Sequence, residues 1–158
     1  MSNVRTKIGD IIEIRTSLGL CYAVYTNKHS DPPKFGALIR VFDETYRERP
    51  LDITELLRHR IRFSTFFPLQ AAVNRGLVTI LGQLELPEQL LSFPIFRSGI
   101  MDPETKKVSN WWLWDGKTEW RIGTLSPEQR KFPIRGIWNY AYLVNKLEEG
   151  WRPETDPQ

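Results

Sequence analysis

Trp111-Trp112-Leu113-Trp114-Asp115-Gly116-Lys117-Thr118-Glu119-Trp120-Arg121-Ile122 is the stretch whose reading decides the fold. Asp-Gly between two strand-like runs marks a two-residue hairpin turn of type I′, which needs positive φ at both central positions. With Asp115-Gly116 at the centre, Trp114 lies opposite Lys117, Trp112 opposite Glu119 and Trp111 opposite Trp120. Strand side chains alternate between faces. One face therefore carries Trp111, Leu113, Thr118, Trp120 and Ile122, and it belongs in a core. The other carries Trp112, Trp114, Lys117, Glu119 and Arg121, two large rings among charges. A single sheet layer buries both faces only with cover from another element, and the C-terminal helix or segment 63–69 is placed to supply it. Left open, Trp112 and Trp114, with Arg121 beside them, are the kind of rigid anchors that dominate protein interfaces.

Working outward, the first half of the chain reads as short strands. In 9–15, Ile8, Asp10, Ile12 and Ile14 share one face and Ile11 and Glu13 the other. After the turn Thr16-Ser17-Leu18-Gly19, Tyr22 and Val24 oppose Cys21, Ala23 and Tyr25, which makes a hairpin. The loop 27–34 holds the breaker Asp31-Pro32-Pro33, and 35–42 is a nearly all-apolar central strand. The charged run 43–49 reads as a solvated loop. Its Arg49 is a second candidate partner contact, since rim charges steer association. Asp52 or Thr54 caps a short helix bearing Ile53, Leu56 and Leu57. A helical turn over 69–73 stops at Asn74-Arg75-Gly76, and 77–81 is a buried strand. Pro87 and Pro94 punctuate a stretch with no clear assignment. The spacing of Ile137, Tyr140, Ala141, Val144 and Leu147, with Leu143 beside them, predicts a helix over 136–149 stopped by Gly150, with Trp151 packing back on it.

The expected fold class is α+β: a mostly antiparallel β-sheet or small partly open barrel, with short helices and a C-terminal helix packed on it. The expected organisation is one domain over 1–158, flexible at about 1–6 and 152–158. A chain of 158 residues with 41% hydrophobic and 26% charged residues is globular in composition. No apolar run approaches the roughly 20 residues of a membrane span, and charges at Arg5, Lys7, Asp10 and Glu13 break any signal-peptide core. One cysteine, Cys21, cannot form an internal disulfide. The expected location is the cytoplasm.

Catalytic patterns are absent from the sequence. His29 and His59 have no nucleophile motif around them, and two His with one Cys do not make a zinc site. Gly116-Lys117-Thr118 looks like the end of a phosphate loop, but Trp111 occupies the place of its leading glycine. Asp102-Pro103-Glu104-Thr105-Lys106 reads as a surface turn rather than a metal-dependent nuclease motif. Arg58-His59-Arg60-Ile61-Arg62-Phe63 interleaves cations with a ring, the chemistry of single-strand nucleic-acid binding. A net charge of only +3, with Glu48, Asp52 and Glu55 close by, favours a solvated face. The expectation is a non-enzymatic binding protein without cofactor, membrane or nucleic acid; the alternative is a small β-rich nucleic-acid-binding module.

The order of landmarks resembles the immunity protein 26 family of bacterial polymorphic toxin systems. It runs from Lys7-Ile8-Gly9-Asp10-Ile11-Ile12-Glu13-Ile14, through Tyr22-Ala23-Val24 and the Trp-rich hairpin ending at Ile122-Gly123, to Leu125-Ser126, Phe132-Pro133 and Gly150-Trp151. The resemblance implies a cytoplasmic antidote that binds a cognate toxin domain and blocks its active site or its access to target. A slightly basic chain departs from the acidic nucleic-acid mimicry common among inhibitors of nuclease toxins.

Overall fold

In the computed structural model, which describes residues 4–158, the alternation around Ile12 becomes strand β1 (Asp10–Thr16). It turns through Ser17-Leu18 into β2 (Gly19–His29), with Thr16 paired to Gly19. A Cβ at Gly19 would sit 2.6 Å from the Tyr46 carbonyl oxygen, so only glycine lets the two strands approach here. β2 runs three residues beyond the expected Thr26. Asn27, Lys28 and His29 pair with Leu38, Ala37 and Gly36 of β3 (Gly36–Tyr46), and the Asp31-Pro32-Pro33 breaker is confined to the connection. β3 likewise runs through Asp43–Tyr46, part of the run expected as a loop, because Thr45 and Tyr46 find partners in Cys21 and Leu20.

A 3₁₀ helix, Ile53–Arg58, is N-capped by Asp52, whose carboxylate accepts from the Thr54 N–H at 2.9 Å. It leads to β4 (Ile61–Phe66), the short helix α1 (Leu69–Asn74) and β5 (Thr79–Gln83). β5 pairs with β1 at the sheet edge and is half-exposed rather than buried, since one side has no neighbouring strand. The strand order is β4-β3-β2-β1-β5, all antiparallel. Both faces are covered. Ile12, Ile14, Cys21, Ala23 and Tyr25 meet α1 residues and the C-terminal helix on one side. Ile11, Tyr22, Val24 and Phe42 pack on Leu56 on the other. Apolar burial at roughly 25 cal/mol per Å² makes this double layer the main source of stability.

After α2 (Glu88–Leu91), three strands form a second antiparallel sheet in the order β6-β7-β8: β6 (Phe96–Ser98), β7 (Trp111–Trp114) and β8 (Glu119–Gly123). Neither sheet closes into a barrel. Residues 133–138 stitch the two together: Ile134 bridges Arg97 and Ile137 bridges Phe66, both in parallel. That extended run delays the last helix, α3 (Tyr140–Glu149), to four residues beyond the expected start, with Asn139 as N-cap. Leu143 and Leu147 are its buried stripe, whereas Ile137 is 54% exposed. Gly150 ends it at φ 73°, and Trp151 packs edge-on against Phe63 and Trp138.

The segment 152–158, expected to be flexible, is packed instead. Pro153–Thr155 form a 3₁₀ turn, the Trp151 indole N–H donates to Asp156 Oδ2 at 2.9 Å, and Arg130 Nη2 donates to the Asp156 carbonyl at 2.9 Å. Fully buried Arg97 donates to the Pro153 carbonyl. Buried guanidinium groups need acceptors. The tail supplies one to Arg97 Nη2, while Arg97 Nε and Nη1 have no hydrogen-bond partner among the described residues and the guanidinium lies over the Trp111 ring. At the other end Thr6 N–H donates to Gln70 Oε1 at 2.9 Å, while residues 1–3 lie outside the described residues. Among the described residues, no helix is long and apolar enough to cross a membrane.

Candidate functional site

The Trp hairpin is built one step differently from the I′ expectation. Gly116 has φ 99°, but Asp115 and Lys117 do not have positive φ. The Asp115 N–H donates to the Thr118 carbonyl at 3.2 Å, and the Asp115 carboxylate accepts from the N–H groups of Lys117 (2.9 Å) and Thr118 (2.8 Å). The turn is therefore centred on Gly116-Lys117, with glycine first, as a II′-type turn prefers. Trp114 now pairs with Glu119, Leu113 with Trp120 and Trp112 with Arg121. The ladder has slipped by two residues, an even number, so the two faces keep their membership.

Cross-strand rows decide what each residue does. The row Phe96–Trp114–Glu119 lies over the main sheet. Trp114 is 4% exposed, with its ring 5.0 Å from His29, 5.1 Å from Phe35 and 5.7 Å from Phe93. The Arg135 guanidinium lies 4.1 Å above it and pairs with Glu119 at 2.8 Å. His29 Nδ1 accepts from the Phe35 N–H at 3.3 Å, so Nε2 carries the proton and donates to the Gly116 carbonyl at 2.9 Å. Trp114 is thus a core residue. Its cover comes from the β2–β3 end, Phe66 and Phe93, not from the C-terminal helix.

The next row, Ser98–Trp112–Arg121, extends past that cover. Trp112 is 38% exposed and lines a groove of about 700 Å³ with Ile100, Met101, Asn110 and Arg121. Ile100 and Met101 are 92% and 40% exposed, which concentrates apolar surface beside the indole. Arg121 donates from Nε (3.3 Å) and Nη2 (2.7 Å) to Asn110 Oδ1, so its orientation is preset. The far wall is the turn predicted at 102–106. Asp102 Oδ1 accepts from the N–H groups of Glu104 (2.8 Å) and Thr105 (3.2 Å), and Lys106 sits at φ 61°.

No protein family, curated protein or solved structure matches this chain.

Of the four residues predicted to meet a partner, the fold brings Trp112 and Arg121 together in the groove and buries Trp114 behind them. Arg49 stands apart. Its Nε and Nη2 bind the two carboxylate oxygens of Glu13 on β1, at 2.8 and 2.9 Å. Glu13 is 2% exposed and also accepts from the Tyr22 hydroxyl at 2.8 Å. The Arg49 bond outweighs burial and holds the Glu13 carboxyl below the usual range, while burial and Glu13 push the Tyr22 hydroxyl up. Arg49 therefore neutralises a charge within the main sheet.

Within the basic, aromatic stretch 58–63, His59, Arg62 and Phe63 are committed internally, while Arg58 and Arg60 are exposed. Arg62 donates to the carbonyls of Trp151, Lys146 and Leu147 at the end of α3, Phe63 is buried, and His59 Nε2 meets the Tyr46 hydroxyl at 2.6 Å. Cys21 is buried, and burial raises its thiol pKa. Sequence reasoning missed Ile100, Met101 and Asn110, which fall in the unassigned stretch. The available signal was an apolar pair held between Gly99 and the Asp102-Pro103 turn.

Proposed function

We propose that the chain is a non-enzymatic binding protein that grips a protein partner in the Trp112 groove. The carrying observation is the open row: a half-exposed indole, two exposed apolar side chains and an Arg held in place by Asn110. Large rings and Arg are enriched at the energetic centres of interfaces, and a preset Arg loses less freedom on binding. The order of sequence landmarks supports a bacterial toxin domain as the partner and neutralisation in the producing cell's cytoplasm as the outcome. The commitments of Arg62 and Phe63 weigh against the nucleic-acid alternative.

The test is calorimetric titration against the protein encoded by the adjacent open reading frame, paired with growth rescue in cells expressing it. Wild type should bind and rescue. Trp112→Ala and Met101→Ala should each weaken binding by about 2 kcal/mol, roughly 30-fold, at unchanged melting temperature. A neighbour that neither binds nor is rescued from overturns the toxin assignment. Full affinity in both variants overturns the groove.

A further inference from the structure

The sheet edges are finished differently. β6 is closed on its outer side by 133–135: the Arg97 N–H donates to the Pro133 carbonyl and the Arg135 N–H to the Arg97 carbonyl, both at 2.9 Å. β4 is closed at its end by Trp138, whose N–H donates to the Phe66 carbonyl at 3.0 Å. β8 has no such cover: among the described residues, its backbone makes no hydrogen bond beyond the ladder to β7. The Asp115–Thr118 bond defines which of its groups are left over. Bonded and non-bonded pairs alternate along an antiparallel ladder, so Leu113–Trp120 is a bonded pair and Trp114–Glu119 and Trp112–Arg121 are not. The N–H and C=O groups of Glu119 and Arg121 therefore point away from β7, along the free edge.

We propose that β8 pairs antiparallel with β8 of a second copy, about a two-fold axis through Trp120. A two-fold interface must be self-complementary, and this strand is. Centred on Trp120, Glu119 of each copy falls opposite Arg121 of the other, and the outward groups of these two residues are the ones such a register bonds. Both charged side chains lie on the same face, so two cross-strand ion pairs form at once. Trp120, 38% exposed on the opposite face, meets its own counterpart in the closer, non-bonded type of pair. Glu119 keeps its bond to Arg135, since a carboxylate has acceptor capacity for both. β5, also an open edge, does not offer this. Thr79-Ile80-Leu81-Gly82-Gln83 carries no charge, and its register on β1 is broken by a bulge. The paired sheets form one six-stranded layer; the seam shares Arg121 with the groove, while Trp112 lies one strand in, on β7.

The full chain is examined by sedimentation velocity from low to high micromolar concentration, with melting curves for every variant. Wild type should dimerise as concentration rises. Glu119→Arg and Arg121→Glu should each weaken the dimer by roughly tenfold or more, because two attractions become two repulsions. The combined Glu119→Arg/Arg121→Glu chain should recover it, because the pairs re-form with signs exchanged. In the unmodified protein, hydrogen exchange at the amides of Glu119 and Arg121 should slow as concentration rises, a readout independent of any variant's folding. A monomer at all concentrations, a dimer indifferent to both single reversals, a double variant as weak as the singles, or concentration-independent exchange at those amides each overturns the proposal.

Discussion

Ile11 and Ile12, neighbours in sequence on opposite faces of the five-stranded sheet, are both fully buried; Trp112 and Trp114, on one face of the three-stranded sheet, are 38% and 4% exposed. In the larger sheet the face a residue occupies does not determine its burial, because both faces are covered. In the smaller sheet face is not enough either, because cover ends between two adjacent cross-strand rows. One row is welded to the main sheet through Leu38, Phe66, Phe96 and Trp114. The next carries exposed apolar surface at a groove. Burial is set by how far the covering layer reaches, and function can start where it stops.

The largest effect expected from this contrast is at Trp114. Trp114→Ala should lose roughly 3–5 kcal/mol in urea denaturation, the range for truncating a large buried ring. A loss below about 1 kcal/mol would mean that the two sheets are not joined through this cluster. Gly116→Val comes next. The new Cβ would lie 2.8 Å from Phe93 Cε1 at φ 99°, so a loss of about 1–3 kcal/mol is expected from strain and collision. An unchanged midpoint would refute the turn centred on Gly116-Lys117.

A smaller effect belongs to the main sheet, at Glu13. Its folded pKa is lowered, so its contribution is complete above the unfolded glutamate value of about 4.3 and is lost as pH falls through the folded value. The effect is moderated because the Arg49 side chain is 52% exposed and partly screened. Melting curves of wild type and Glu13→Gln between pH 7 and pH 3 should converge on acidification; parallel curves would show that Glu13 does not contribute this way. The smallest change is expected at Trp112. Trp112→Ala should leave stability within roughly 0.5 kcal/mol, as for surface sites generally. A loss matching that of Trp114→Ala would erase the distinction between the rows.

Strand alternation, read from single residues, separates Ile12 from Ile11 in the first strand and Cys21 and Ala23 from Tyr22 and Val24 in the second. The packed sheet joins Ile12 with Cys21 and Ala23 in one core and Ile11 with Tyr22 and Val24 in the other. The Asp-Gly dipeptide announces a hairpin, and the face membership of its tryptophans survives a two-residue slip because the side-chain period is two. The Asp52 cap and the Gly150 stop are equally local, each set by a residue and its near neighbours, whereas the Trp151 ring, expected on the last helical turn, meets Trp138 and the distant Phe63. Beyond that reach the sequence is silent. That Trp114 is covered and Trp112 open depends on where His29, Phe35, Phe66 and Phe93 arrive from distant parts of the chain. Trp120, placed in a core by alternation, is 38% exposed because it stands on the outermost strand, and edge position is a property of strand order. The tail is held by carbonyl bonds to Arg97 and Arg130, and Arg49 is drawn to Glu13. These pairings join residues far apart in the chain and have no local signature; only the packed chain brings the groups together.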